Sequence, residues 1–177
     1  MSKSVRKQAQ EEESYFDLID VLIDDWHRER PDLDPDAMNV VGRIFRVSRQ
    51  LNDRMHEILQ PHGLLYSEFD VLATLRRSGA PYELTPTQLQ DAVVLTSGAM
   101  TALLDRLTSR KLIKRNRNAE DRRSTTAQLT AKGLNLANKL IGLRFEEAAL
   151  VCKGLNRSDR NDLARILRAM EHTLHSV

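Results

Sequence analysis

The chain has 177 residues, with 27 Lys and Arg against 25 Asp and Glu for a net charge of +2, seven Gly, five Pro and 5% aromatic residues. That length allows one domain with a sizeable core, or a compact domain with helical extensions. No run approaches the ~20 apolar residues of a membrane span, and the single cysteine, Cys152, excludes an internal disulfide framework.

The first fourteen residues, MSKSVRKQAQEEES, are charged and lack the apolar stretch of a signal peptide, so a cytoplasmic, nucleoid-associated protein is expected. Residues 1–13 read as disordered. Ser14 is placed to cap a helix to about Arg30 that carries Phe16, Ile19, Leu22, Ile23 and Trp26 along one face. Pro31 ends it. Asp34-Pro35 opens a second helix, with Val40, Val41, Ile44, Val47, Leu51, Met55, Ile58 and Leu59 at helical spacing, and Pro61-His62-Gly63 stops it. Ser67 starts a third helix running to Ser78-Gly79. Thr85-Pro86-Thr87-Gln88 is a capping box for a short helix ending near Val93. Thr96-Ser97 begins the next helix, to about Arg110.

Two short runs follow, Leu112–Arg115 and Thr125–Leu129, flanking a tip crowded with charge; together they read as a two-stranded hairpin. Thr130 caps a long helix to about Lys153. Asn156-Arg157-Ser158 starts a last one, with Leu163, Ile166, Leu167, Met170 and Leu174 on one face. The expected organisation is a disordered 1–13, N-terminal helices over 14–62, a winged lobe over 63–133 and C-terminal helices over 134–177.

The charge is unevenly spread. Asp105 to Arg123 holds eight basic and three acidic residues, a net +5 that leaves −3 for the rest of the chain. A basic patch on an otherwise acidic protein suits nucleic acid, although a solvated hairpin rich in Arg has the same composition. Two short helices joined by a tight turn form a helix-turn-helix, and a charged hairpin directly after the second makes it winged.

On a wheel of ~100° per residue the second of these helices divides cleanly. Ser97, Gly98, Thr101, Asp105 and Thr108 share a small polar flank, and Met100, Leu103, Leu104 and Leu107 share an apolar one. A helix entering a major groove needs small polar groups near its N-terminus. The candidate DNA contacts are Thr96, Ser97, Gly98 and Thr101 with Arg117, Arg122 and Arg123 of the wing. Asp105 opposes DNA and calls for a neighbouring arginine. Arg106 lies between the flanks, facing either Asp121 in the wing or the core.

The stretch TPTQLQDAVVLTSGAMTALLDRLTSRKLIKRNRNAEDRRSTTAQLTAKG, Thr85 to Gly133, resembles the multiple antibiotic resistance regulator (MarR) family, and the helical order extends that resemblance over nearly the whole chain. The resemblance implies a mainly α, winged helix-turn-helix protein with a two-stranded β-wing, flanked by N- and C-terminal dimerisation helices. It implies a homodimeric repressor on a palindromic double-stranded DNA operator, with Asp121 anchoring the wing and Arg122 or Arg123 entering the minor groove.

The extra N-terminal helix with its tryptophan is similar to the urate-responsive subgroup. That likeness implies an anion pocket at Trp26, Asp70 and Arg106, with Arg115 or Arg117 as a further wing arginine. A flat purine anion would stack on an indole, pair with a guanidinium and hydrogen-bond a carboxylate. Each residue also has a purely structural reading: Asp70 closes a capping box on Ser67, Trp26 anchors the extra helix, and Arg106 serves Asp121. Other carboxylate or phenolic effectors, or a protein partner for the winged lobe, fit the same residues.

No cofactor and no enzymatic motif is expected. His27, His56, His62, His172 and His175 lack metal-ligand spacing. Peroxide-sensing members of the family resemble this chain but place a reactive cysteine near the N-terminus, so Cys152 reads as a small packing residue.

Overall fold

A computed structural model describes residues 17–93, 97–117 and 125–176, with the side chains of Ser97 and Arg117 also left undescribed. Ser14, Phe16, Thr96, Asp121, Arg122 and Arg123, and the expected disorder of 1–13, fall outside the described residues. The chain forms two compact units, Met1–Arg54 and Met55–Val177.

In the first unit, α1 (Leu18–Glu29) is capped by Asp17, not Ser14: Asp17 Oδ1 accepts from Ile19 N at 2.7 Å, and Asp20 returns a bond to Asp17 N. Asp17 is extended (φ −129°), and Asp20, three residues on, closes the box. Helix α2 (Asp36–Leu59) starts where expected, with Asp34 accepting from Asp36 N at 3.0 Å. Arg43 of α2 reaches both Asp17 and Asp20 (3.3 and 2.7 Å). Ile19 lies over Gly42, where an added Cβ would sit 3.2 Å from its Cδ1. Of the expected apolar face of α1, Ile19 is buried, whereas Leu22 and Trp26 are exposed.

The second unit begins with the last turn of α2, whose Met55 and Leu59 are buried, and a 3-10 turn at Gln60–His62 that ends at Gly63, left-handed at φ 60°. It continues through α3 (Tyr66–Arg77), β1 (Glu83–Leu84), α4 (Pro86–Val93), α5 (Ser97–Ser109), β2 (Ile113–Arg117), β3 (Thr125–Leu129), α6 (Ala131–Val151) and α7 (Arg157–Ser176). The strands form an antiparallel sheet in the order β1-β3-β2, with Asn116 opposite Thr126 and Leu84 opposite Ala127. Strand β1 was not expected from sequence, and the wing is therefore one part of a three-stranded sheet. Two residues are too few for alternation to show.

The capping residues act as expected at α4, where Thr85 and Gln88 exchange bonds of 2.9 and 3.2 Å, and at α6, where Thr130 Oγ1 accepts from Gly133 N. Asn156 and Asp159 close a similar box at α7. The core gathers Leu72 and Leu75 of α3, Leu89 of α4, Leu104 and Leu107 of α5, Leu112, Ile113 and Leu140. Helix α7 buries none of its residues; Leu163, Ile166, Leu167 and Leu174 are all exposed. Among the described residues no helix is long and apolar enough to cross a membrane.

Candidate nucleic-acid interface

The apolar flank of α5 is fixed by burial: Met100, Leu103, Leu104 and Leu107 are each at most 2% exposed. This pins the opposite flank outward. Thr101 and Asp105 are exposed, and a Cβ built on Gly98 would meet nothing within 4 Å, so the polar side of the helix is open. An open flank of small side chains is what lets a helix approach the floor of a major groove.

Strand β2 borders this flank. Arg115 Nη2 lies 2.9 Å from Asp105 Oδ1 and donates to the Thr101 carbonyl at 3.4 Å. The acid on the open flank of α5 is thus neutralised by an arginine of the wing strand. The same contact engages the Arg115 suggested for a ligand.

The base of the wing is tied to β1 through Glu83. Its carboxylate accepts from Asn116 Nδ2 at 3.1 Å and from Thr126 Oγ1, the two residues that face each other across β2 and β3. These two hydrogen bonds hold the Glu83 carboxyl below its ordinary range. Gln128 adds a bond from Nε2 to the Pro81 carbonyl at 2.9 Å. Sequence reading missed Glu83 because its partners lie more than thirty residues away.

The carboxylate that organises the rear of α5 is Glu68, also missed. It is 3% exposed, yet it accepts from Leu65 N at 2.8 Å and meets Arg106 Nε at 3.2 Å, with Arg110 Nη1 at 4.0 Å. This settles the capping question at α3. The helix starts at Tyr66, one residue earlier than expected, so the acid three residues after the cap is Glu68; Asp70 closes no box. The signal was present in Leu65-x-x-Glu68 but was masked by Ser67, a better cap by type. Arg106 points neither into the core nor wholly into solvent: half its side chain is exposed and its guanidinium rests on Glu68. Arg110 is held more tightly, donating to the carbonyls of Gly63 and His62 at 2.8 and 2.6 Å.

Asp70 is half-buried on α3, and burial pushes its carboxyl above the usual carboxylate range, partly offset by Arg77. Trp26, in the first unit, is 53% exposed. Cys152 is partly buried just past α6, and no group of three His, Cys, Asp or Glu among the described residues could hold a metal ion.

The sequence model of the MarR family matches residues 62–124. The transcriptional regulator PecS of Dickeya dadantii is 33% identical over 160 residues, covering 90% of this chain and 96% of PecS. MhqR of Bacillus subtilis, also a transcriptional regulator, is 37% identical over 98 residues, covering 55% and 65%. Among solved structures, a mutant MarR of Escherichia coli complexed with operator DNA superposes with a TM-score of 0.62 at 26% identity, covering 77% of this chain and 96% of that one. AbsC of Streptomyces coelicolor superposes with a TM-score of 0.73 at 20% identity, covering 82% and 98%, a likeness of fold.

Proposed function

Because the chain belongs to the MarR family of DNA-binding transcriptional regulators, proteins that are not enzymes, we propose that it is a cytoplasmic homodimeric repressor on a palindromic operator, released by a small urate-like anion. One observation carries the DNA reading. The open flank of α5 at Gly98, Thr101 and Asp105 lies beside a wing strand whose Arg115 cancels the charge of Asp105. Thr96, Ser97, Gly98 and Thr101 then approach base edges and phosphates, and Arg117, Arg122 and Arg123 supply phosphate and minor-groove contacts, with Asp121 orienting the wing. The relative bound to operator DNA supports this use of the fold. The apolar rows left exposed on α7 support an association between copies of the chain.

The effector reading rests on the sequence likeness to the urate-responsive subgroup, which assigns Trp26, Asp70, Arg106 and Arg115 to the ligand. The half-exposed guanidinium of Arg106 supports it, since a ligand that drew it off Glu68 would disturb the helix that carries Thr101. The test is a gel shift of the protein on its own upstream DNA, with and without millimolar urate. The shift should weaken steeply with salt, because Lys and Arg contacts release counterions. Release by urate supports the effector assignment. Binding without release removes urate and keeps the repressor, and no binding at low salt removes the DNA reading.

A further inference from the structure

Tyr82 is held in the left-handed region at φ 61°, where a bulky side chain is disfavoured and glycine is the usual occupant. It stands directly before β1, the strand whose Glu83 ties down the base of the wing. A residue in such a conformation is held there by its surroundings, and such positions concentrate where function needs a set geometry. The contacts around Tyr82 supply that hold. The guanidinium of Arg76 lies over its ring, with Cζ 5.0 Å from the ring centroid, within cation–π range. Arg76, in the last turn of α3, is itself aimed, since its Nε donates to Asn138 Oδ1 of α6 at 2.7 Å. Tyr82 N donates to the Gly79 carbonyl at 2.6 Å, and the Tyr82 carbonyl accepts from Leu129 N at 3.1 Å.

The neighbours of Tyr82 in the chain are bonded to the wing. The Pro81 carbonyl accepts from Gln128 Nε2 at 2.9 Å, and Gln128 Oε1 accepts from Asn116 Nδ2 at 2.8 Å. The same amide nitrogen donates to Glu83 Oε1 at 3.1 Å, and Thr126 Oγ1 donates to that oxygen too. Contacts therefore run unbroken from α6 through Arg76 and Tyr82 to the two strands that carry the basic tip. Strand β1 offers only Glu83 and Leu84 to β3, too short a ladder to fix its own angle. The backbone turn at Tyr82 sets that angle from outside the ladder.

We propose that Arg76 and Tyr82 are positioning residues for the wing. The stacked pair locks the left-handed turn that presents Glu83 to Asn116 and Thr126, and so fixes the angle at which the wing meets DNA. The inference rests on the proposed use of the wing at phosphates and the minor groove. The pair acts through Glu83 and needs no DNA contact of its own. It does need a planar guanidinium, because a lysine cannot both stack flat on the ring and donate sideways to Asn138.

The experiment compares Arg76→Ala, Arg76→Lys, Tyr82→Gly and Tyr82→Phe in the full chain by two readouts. One is the NMR signal of the Asn116 side-chain amide, read without DNA. The other is a fluorescence anisotropy titration of upstream DNA across salt concentrations. Arg76→Ala, Arg76→Lys and Tyr82→Gly should move the Asn116 signal toward its position in Glu83→Ala. They should also weaken binding about tenfold and reduce the salt slope by about 1, equivalent to one phosphate contact. Tyr82→Phe keeps the ring and should match the unaltered protein in both. Tyr82→Gly combined with Glu83→Ala should lose little more affinity than either alone, because both break one path. A lower melting temperature with an unchanged salt slope would reduce the pair to a structural role and overturn the assignment. An unmoved Asn116 signal, or additive losses in the double variant, would overturn it as well. Failure of the unaltered protein to bind at low salt removes the DNA reading, and with it anything for the wing to be positioned against. Normal binding by every variant removes this assignment alone.

Discussion

Glu68 Oε1 lies 3.2 Å from Arg106 Nε, which sets a nearly solvent-free carboxylate of α3 against a half-exposed guanidinium of α5. The same carboxylate caps α3 through Leu65 N. Replacing it with alanine removes the cap and leaves a polar void, while Arg106 can turn to water. The expected loss is about 2 kcal/mol, combining a capping term with a lost charge-assisted bond. Glu68→Gln keeps an oxygen for Leu65 N and should lose less. Urea denaturation of both variants measures the difference, and equal losses would show that the ion pair, not the cap, holds this corner.

Gly133 is required by a close approach. A Cβ there would lie 1.9 Å from the Leu112 carbonyl oxygen, which accepts from Thr130 N at 3.1 Å. Gly133→Ala must therefore push the start of α6 away from the turn after α5, at a cost of about 2 kcal/mol or more. Gly142, on the same helix, has nothing within 4 Å of its added Cβ. Gly142→Ala should instead stabilise by about 0.5–1 kcal/mol. Thermal melts of the two variants should move in opposite directions.

The wing's tether to β1 is expected to respond to acid. The folded carboxyl of Glu83 is held below its ordinary value of 4.5 by Thr126 and Asn116. Its stabilising contribution is therefore fully present above pH 4.5 and fades as the pH falls through the lower, folded value. Glu83→Gln should flatten that acid limb in a pH series of denaturation midpoints. At about pH 7, well above that limb, it should weaken operator binding, because the wing loses its orientation.

Asp105 and Arg115 form an ion pair at the surface, so breaking it should change stability by less than about 1 kcal/mol. Its effect on DNA should be larger. Asp105→Asn removes the negative charge from the open flank and frees Arg115 for phosphate, so affinity for non-specific DNA should rise and the salt slope should steepen. A fluorescence titration across salt concentrations reads both. Unchanged affinity would place Asp105 away from the nucleic acid.

Much of this arrangement was legible from local pattern. Met100, Leu103, Leu104 and Leu107 announced the buried flank of α5 by spacing alone, and Thr85 with Gln88 announced the start of α4. The paired strands followed from their β-formers, although β2 runs to Arg117, two residues beyond the expected end. What stayed hidden depends on distant partners. Glu68 reads as an ordinary surface acid until Arg106 and Arg110 are folded onto it. Glu83 sits in a strand too short to show alternation. That Asp105 would pair with an arginine was foreseen, but which one was not, because Arg115 is ten residues away on another element. The cap of α1 was misplaced because Ser14 and Asp17 are both good caps and each has an acid three residues on, Asp17 and Asp20, so local pattern does not choose between them.

Helix α7 spans twenty residues and buries none of them, while its apolar row of Leu163, Ile166, Leu167 and Leu174 faces outward. A helix in that position draws no stability from the core of its own chain. On the proposed homodimer, its order comes from contact with a second copy of the chain and so from mass action. The cooperative melting of this protein should accordingly be a property of the solution as well as of the sequence, with the midpoint climbing as protein is concentrated and α7 the first element to exchange its amide hydrogens on dilution.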